Sequence, residues 1–192
     1  MSERIIHLLR HAPPARTGLL LGHADEPALV ADCPFIQAKV RPLPITRIVA
    51  SDLCRAAAQA AALARRLALP LTLDRAWREL DFGAWDGQPA EAIGTDALAG
   101  FWADPDGHPP PQGERWSSLQ ARVATALAAL DTGTLVVTHA GAMRAAVAVL
   151  TGLDHRGVWA FDLPYRALLS LRIWPDAPLS GQIIGLDAGD GR

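Results

Sequence analysis

With 192 residues, a mass of 20.4 kDa and 50% apolar residues, the chain can bury one sizeable core; surface scaling gives a folded area of about 8,800 Å2 and ~70% burial. Charged residues make up 20% and the formal net charge is -2, which excludes a disordered polyelectrolyte and argues against nucleic acid as a partner. No window approaches the ~18 uncharged apolar residues of a membrane span, and Met1-Ser2-Glu3-Arg4 before a short apolar run lacks the layout of a signal peptide, so a cytoplasmic protein is expected.

The first predicted element is Arg4-Ile5-Ile6-His7-Leu8-Leu9, a mostly apolar run that reads as a buried strand. Residues 13–34, rich in Pro and Gly, follow as an irregular insertion containing Cys33. A second strand at 47–50 leads into an Ala/Leu/Arg-rich helix over 53–67. Cys54 lies at its start; two cysteines make no disulfide framework and have no zinc-type spacing, so both are read as small residues. Residues 88–113, with Pro105 and Pro109-Pro110-Pro111, form a second irregular stretch. After it come a helix with one apolar face over 116–130, a strand at 134–138 and a helix over 142–150. The stretches 167–173 and 182–186 are expected to add antiparallel edge strands. Strand alternating with helix means α/β, a single domain over 1–192 around a mostly parallel central sheet. The insertions at 13–34 and 88–113 should lie beyond the carboxyl ends of the strands and shape a ligand pocket.

Several signatures are absent. The chain has no G-x-x-x-x-G-K-[ST], no G-x-S-x-G and no G-x-G-x-x-G between strand and helix, and neither cysteine has an Arg six positions on. His7 and His11 are four apart, a metal-pair spacing only on a helix. On a strand with no nearby carboxylate they are not read as ligands, and no metal or cofactor is expected. Arginine as such carries no weight, since Lys39 is the only lysine in the chain; only arginines in a particular context count.

That context is the strand ends. The first strand ends in Arg10-His11, the second in Ser51-Asp52-Leu53-Cys54-Arg55, and the strand at 134–138 in His139-Ala140-Gly141 opening a helix. Each pair taken alone is an ordinary strand end. Together they bring two histidines and two arginines to one sheet edge, with Arg55 in a helix's first turn, an arrangement that fits a single phosphoryl group. Arg78-Glu79-Leu80-Asp81-Phe82-Gly83-Ala84-Trp85-Asp86-Gly87 adds two acids, either of which, Glu79 or Asp81, is placed to supply a proton.

The blocks Leu8-Leu9-Arg10-His11, Ala50 to Arg55, Glu79 to Gly87 and Val136 to Gly141, in this order, resemble the histidine phosphatase superfamily, also called phosphoglycerate mutase-like. The resemblance implies a three-layer αβα sandwich. It further implies that His11 becomes phosphorylated, that Arg10, Arg55 and His139 bind the phosphoryl group, and that the acid of the third block, taken as Glu79, is the proton donor. Looser marks resemble its α-ribazole phosphatases of cobalamin biosynthesis: Gly22-His23-Ala24-Asp25-Glu26-Pro27, and Phe101-Trp102-Ala103-Asp104-Pro105 leading to Gly113-Glu114. Ala12 departs from the usual Gly, and Pro14 and Thr17 from the common Thr and Asn.

The expected activity is hydrolysis of a small-molecule phosphomonoester, with the arginines lowering the pKa of His11 and doing the electrostatic work that a metal does elsewhere. α-Ribazole 5′-phosphate is the expected substrate, because the insertions offer aromatic surfaces (Phe101, Trp102 and Trp116, with Trp85 nearby) and few cations beyond Arg16, Lys39 and Arg115. Gly22, His23, Trp85, Trp102 and Arg144 are candidate pocket residues. The same core residues would also serve a broad-specificity phosphatase, a phosphoglycerate mutase or a phosphohistidine protein phosphatase. A binding module without turnover is the alternative of another class, and a homodimer is compatible with the sequence.

Overall fold

The computed structural model describes residues 3–188. Its six strands are β1 (Arg4–Arg10), β2 (Arg47–Ala50), β3 (Leu71–Leu73), β4 (Thr134–Thr138), β5 (Leu168–Trp174) and β6 (Ser180–Asp187). The helices are α1 (Pro34–Val40), α2 (Cys54–Leu67), α3 (Ala90–Ile93), α4 (Thr95–Ala103), α5 (Trp116–Ala128) and α6 (Ala140–Thr151). One sheet, in the order β3-β2-β4-β1-β5-β6, carries all the strands. β1 to β4 pair in parallel, and β5 is antiparallel to both its neighbours, β1 and β6.

Alternation along the central strands builds the layers. Ile6, Leu8 and Val136 point to a core shared with α5 and α6, where Leu119, Val123, Met143 and Val147 are buried. Leu9, Leu135 and Val137 face the other side, against Ile36 and Val40 of α1 and Ala56, Ala60 and Leu63 of α2. The architecture is therefore αβα, as expected. The accessible surface of 8864 Å2 fits the scaling expectation. No helix among the described residues is long and apolar enough to cross a membrane.

Three expectations change. β3 did not stand out because Leu71-Thr72-Leu73 is only three residues long. β5 is not an edge strand: it is hydrogen-bonded on both sides and β6 forms the edge. The 88–113 insertion is not wholly irregular, since α3 and α4 lie within it, with Phe101 buried.

The parallel pairing sets the site. Because β2, β4 and β1 are adjacent and run the same way, their carboxyl ends lie side by side. The ladder continues past the strands through Ser51 N–H to Val137 O (3.0 Å) and His11 N–H to Thr138 O (3.0 Å). Arg55, His139 and the Arg10-His11 pair thus reach one edge of the sheet.

Candidate active site

His11 is 4% exposed, and its ring centroid lies 4.9 Å from that of His139. Its Nδ1 donates to the Ala12 carbonyl oxygen at 2.6 Å. A carbonyl only accepts, so the proton sits on Nδ1 and Nε2 keeps its lone pair. Burial, then the charges of Arg55 and Arg10, push the imidazole pKa down to about 3. The direction matches expectation, although desolvation leads and the arginines follow. Ala12 holds the turn with both backbone groups, its N–H going to the buried Gln59 Oε1 at 2.7 Å.

His139 and Arg55 are fully buried. Arg55 Nε donates to His139 Nδ1 at 3.3 Å, so the His139 proton is on Nε2, which donates to Ser51 Oγ at 2.9 Å. Burial, with His11 and the arginines nearby, holds the His139 pKa well below its ordinary value. The other Arg55 donors go to the carbonyls of Ala24 (2.8 Å), Leu21 (3.3 Å) and Gly22 (2.5 Å). Arg55 and His139 are thus held to each other and to protein acceptors and, like His11, are not among the residues that wall the open cavity.

That cavity, about 270 Å3, is walled by the polar residues Arg10, Glu79 and Arg144, by Gly141, and by the aromatic rings of Phe82, Phe101, Trp102, Trp116 and Trp159. Arg10 lies 4.0 Å from the Tyr165 ring centroid and donates from Nη1 to Leu163 O at 2.6 Å. Arg144 lies 3.9 Å from the Trp159 ring centroid. The Nε atoms of both are buried without a hydrogen-bond partner among the described residues. Burial lowers both guanidinium pKa values, and the Glu79 charge opposes the shift in each.

The structure separates the two candidate acids. Glu79 lines the cavity, with Oε2 accepting the Gly141 N–H (3.0 Å) at the start of α6 and Oε1 accepting the Leu80 N–H (2.9 Å). A Cβ at 141 would push the Glu79 carboxylate out of this position. Asp81 is outside the cavity, where Oδ1 accepts the Gly83 N–H and Oδ2 lies 3.4 Å from His23 Nδ1.

Of the candidate pocket residues, Trp102 and Arg144 line the cavity and three do not. Gly22 packs where a Cβ would strike the Leu80 carbonyl and the Phe82 amide, and the N–H groups of Gly22, His23 and Ala24 converge on the Asp86 carboxylate. His23 Nε2 also meets the Glu79 carbonyl at 3.1 Å. Trp85 packs edge-on against Phe101, with centroids 5.9 Å apart. These three brace the Glu79–Asp86 turn rather than wall the cavity. The departures at Pro14 and Thr17 lie in the first insertion, Pro14 buried and bridged to Ala28, Thr17 exposed. His7 bonds Ser170 Oγ at 2.8 Å, away from any pairing with His11.

Trp159, His155, Tyr165 and Phe82 had not been singled out for the site. The one signal is that Tyr165 is the only tyrosine in the chain, in the turn that precedes β5.

A cavity walled by two desolvated guanidinium groups and a carboxylate, with an imidazole of one fixed tautomer on the residue next to Arg10, suits the handling of a phosphoryl group at an α/β sheet edge. Residues 33–181 match the family model for the histidine phosphatase superfamily (branch 1), and the chain belongs to that superfamily. It is by class a phosphoric monoester hydrolase. It is 25% identical over 168 residues, 80% of this chain and 82% of the relative, to "Putative phosphoserine phosphatase 2" of Hydrogenobacter thermophilus. Among solved structures it resembles mycobacterial glucosyl-3-phosphoglycerate phosphatase (TM-score 0.84, 23% identity, covering 98% of this chain and 100% of that one). It also resembles the α-ribazole phosphatase of Shigella flexneri (TM-score 0.78, 21% identity, 93% and 95%).

Proposed function

We propose that this hydrolase works through a phosphohistidine on His11. The observation that carries the reading is the Nδ1–H to Ala12 bond, which leaves Nε2 of the buried His11 unprotonated on the residue next to Arg10, itself part of the cavity wall. Nε2 attacks phosphorus as the ester P–O bond breaks, and Glu79 gives its proton to the departing alkoxide. Water then attacks the phosphohistidine, Glu79 takes up its proton, the N–P bond breaks and inorganic phosphate leaves. Arg10 stabilises charge on the transferring group directly. Arg55 contributes its charge and fixes His139, whose ring packs against the nucleophile. A binding module without turnover has no use for a tautomer-locked imidazole or a carboxylate held at a helix start.

For the leaving group, the mostly apolar, aromatic walls favour a bulky ring-bearing ester, and α-ribazole 5′-phosphate remains our reading. Arg16, Lys39 and Arg115 pair with Glu26, Asp187 and the Asp106 carbonyl respectively, so none supplies the cavity with charge. Arg144 favours a second reading. It is a cation beyond the insertions, on the Glu79 side of the cavity, and fits an ester carrying a carboxylate, such as phosphoserine or 3-phosphoglycerate. A kcat/KM panel over these three esters and simple sugar phosphates tests both. Preference for the ribazole ester supports the first reading, and preference for the carboxylated esters replaces it with the second.

A further inference from the structure

We propose that Arg122, on α5 and outside the cavity, is the positioning residue for Glu79 and acts on the reaction only through it; this rests on the proton-donor role proposed above. All five guanidinium hydrogens are used. Nε donates to Glu114 Oε1 (2.7 Å) and Nη2 to Glu114 Oε2 (2.8 Å), a bidentate pair. Nη1 donates to the carbonyls of Ala76 and Arg78 (2.8 Å each), and Nη2 to that of Glu79 itself (2.8 Å). Glu114 Oε2 also accepts the Asp81 N–H at 3.3 Å. One ion pair therefore grips the backbone at 76, 78, 79 and 81, on both sides of the acid.

This grip completes the definition of the Glu79 carboxylate. Its oxygens are fixed at the far end by Gly141 and Leu80, but those bonds aim it correctly only if its own backbone is anchored. The segment is a short 3-10 turn followed by extended chain outside the sheet; Thr138 Oγ1 on the Trp77 carbonyl, the Arg78–Asp52 pair and His23 Nε2 on the Glu79 carbonyl also hold it, and Arg122 is the one side chain that binds the carbonyls of 76, 78 and 79 together. Only a planar five-donor fork can satisfy a carboxylate and three carbonyls at once; a lysine has three donors and no plane. A proton donor is sensitive to sub-ångström placement, so a residue that never touches substrate can govern it.

The test compares kcat/KM for two esters, p-nitrophenyl phosphate, whose leaving group departs as an anion, and butyl phosphate, whose alkoxide needs a proton. Because kcat/KM covers events up to leaving-group departure, and the ratio between two substrates cancels the amount of folded enzyme, loss of stability does not move the readout. Glu79→Gln should shift the ratio against butyl phosphate by about a hundredfold or more. Arg122→Lys and the milder Glu114→Gln should shift it the same way by roughly tenfold, a fraction of the full general-acid effect. A wild-type ratio in both of these variants, with Glu79→Gln shifted, overturns the proposal and leaves Arg122 as scaffold. An unshifted ratio in Glu79→Gln overturns it at its root, since the proton-donor role itself then fails.

Discussion

Neutral His11 in the native state has a cost in acid that can be measured without any substrate. Its pKa falls from 6.5 to about 3 on folding, mainly through burial. Between those pH values the unfolded chain carries a proton on His11 that the native state refuses. Stability is therefore full above 6.5 and declines as the pH falls toward 3, by ~1.4 kcal/mol per unit for one proton. From pH 6.5 to 5 this amounts to about 2 kcal/mol from His11 alone, and on the order of 5 kcal/mol over the whole window. His139 adds a contribution of the same sign. The perturbation is His11→Gln, which removes the titrating group and retains an amide donor, and the assay is urea unfolding of wild type and variant at pH 7 and pH 5. Wild type should lose about 2 kcal/mol more than the variant between the two. Equal losses would mean that His11 titrates alike in both states, and the account of a neutral, desolvated nucleophile would be wrong.

Arg10→Ala should lower kcat about a hundredfold or more, roughly 3 kcal/mol of transition-state charge stabilisation, while the fold survives; normal turnover would remove Arg10 from the phosphoryl site. Trp159→Ala should weaken kcat/KM for α-ribazole 5′-phosphate by ~0.5 to 1.5 kcal/mol per lost ring contact, a two- to tenfold effect, with a smaller change for a compact sugar phosphate; equal changes would place Trp159 outside the leaving-group wall. Hydrolysis of p-nitrophenyl phosphate should survive EDTA, and loss restored by a divalent ion would refute guanidinium-based charge stabilisation.

The catalytic core was legible because each of its side chains follows a buried apolar run. Arg10 ends β1, His11 and His139 directly follow β1 and β4, and Arg55 lies five residues beyond β2, and parallel pairing gathers such ends without further information. Glu79 was legible only as one of two loop acids, because the choice over Asp81 depends on the Gly141 amide, 62 residues away in sequence. The bonds that hold Arg55 in place were hidden for the same reason: its partners are carbonyls at 21, 22 and 24, and backbone acceptors leave no mark in composition. Gly22, His23 and Trp85 look like pocket residues from their company, yet turn inward once Asp86 collects three amides of the first insertion. Trp159 and Tyr165 enter from the approach to β5, and a lone aromatic before a strand has no periodicity to betray its direction.

The covalent step is the centre of the account, and trapping it tests the account most directly. Rapid quench of the enzyme with 32P-labelled substrate should give a protein-bound phosphoryl group that is labile in acid, stable in base and absent from His11→Ala. A folded, turning-over enzyme that yields no such adduct, or one with the opposite acid and base stability, would contradict phosphohistidine chemistry at His11.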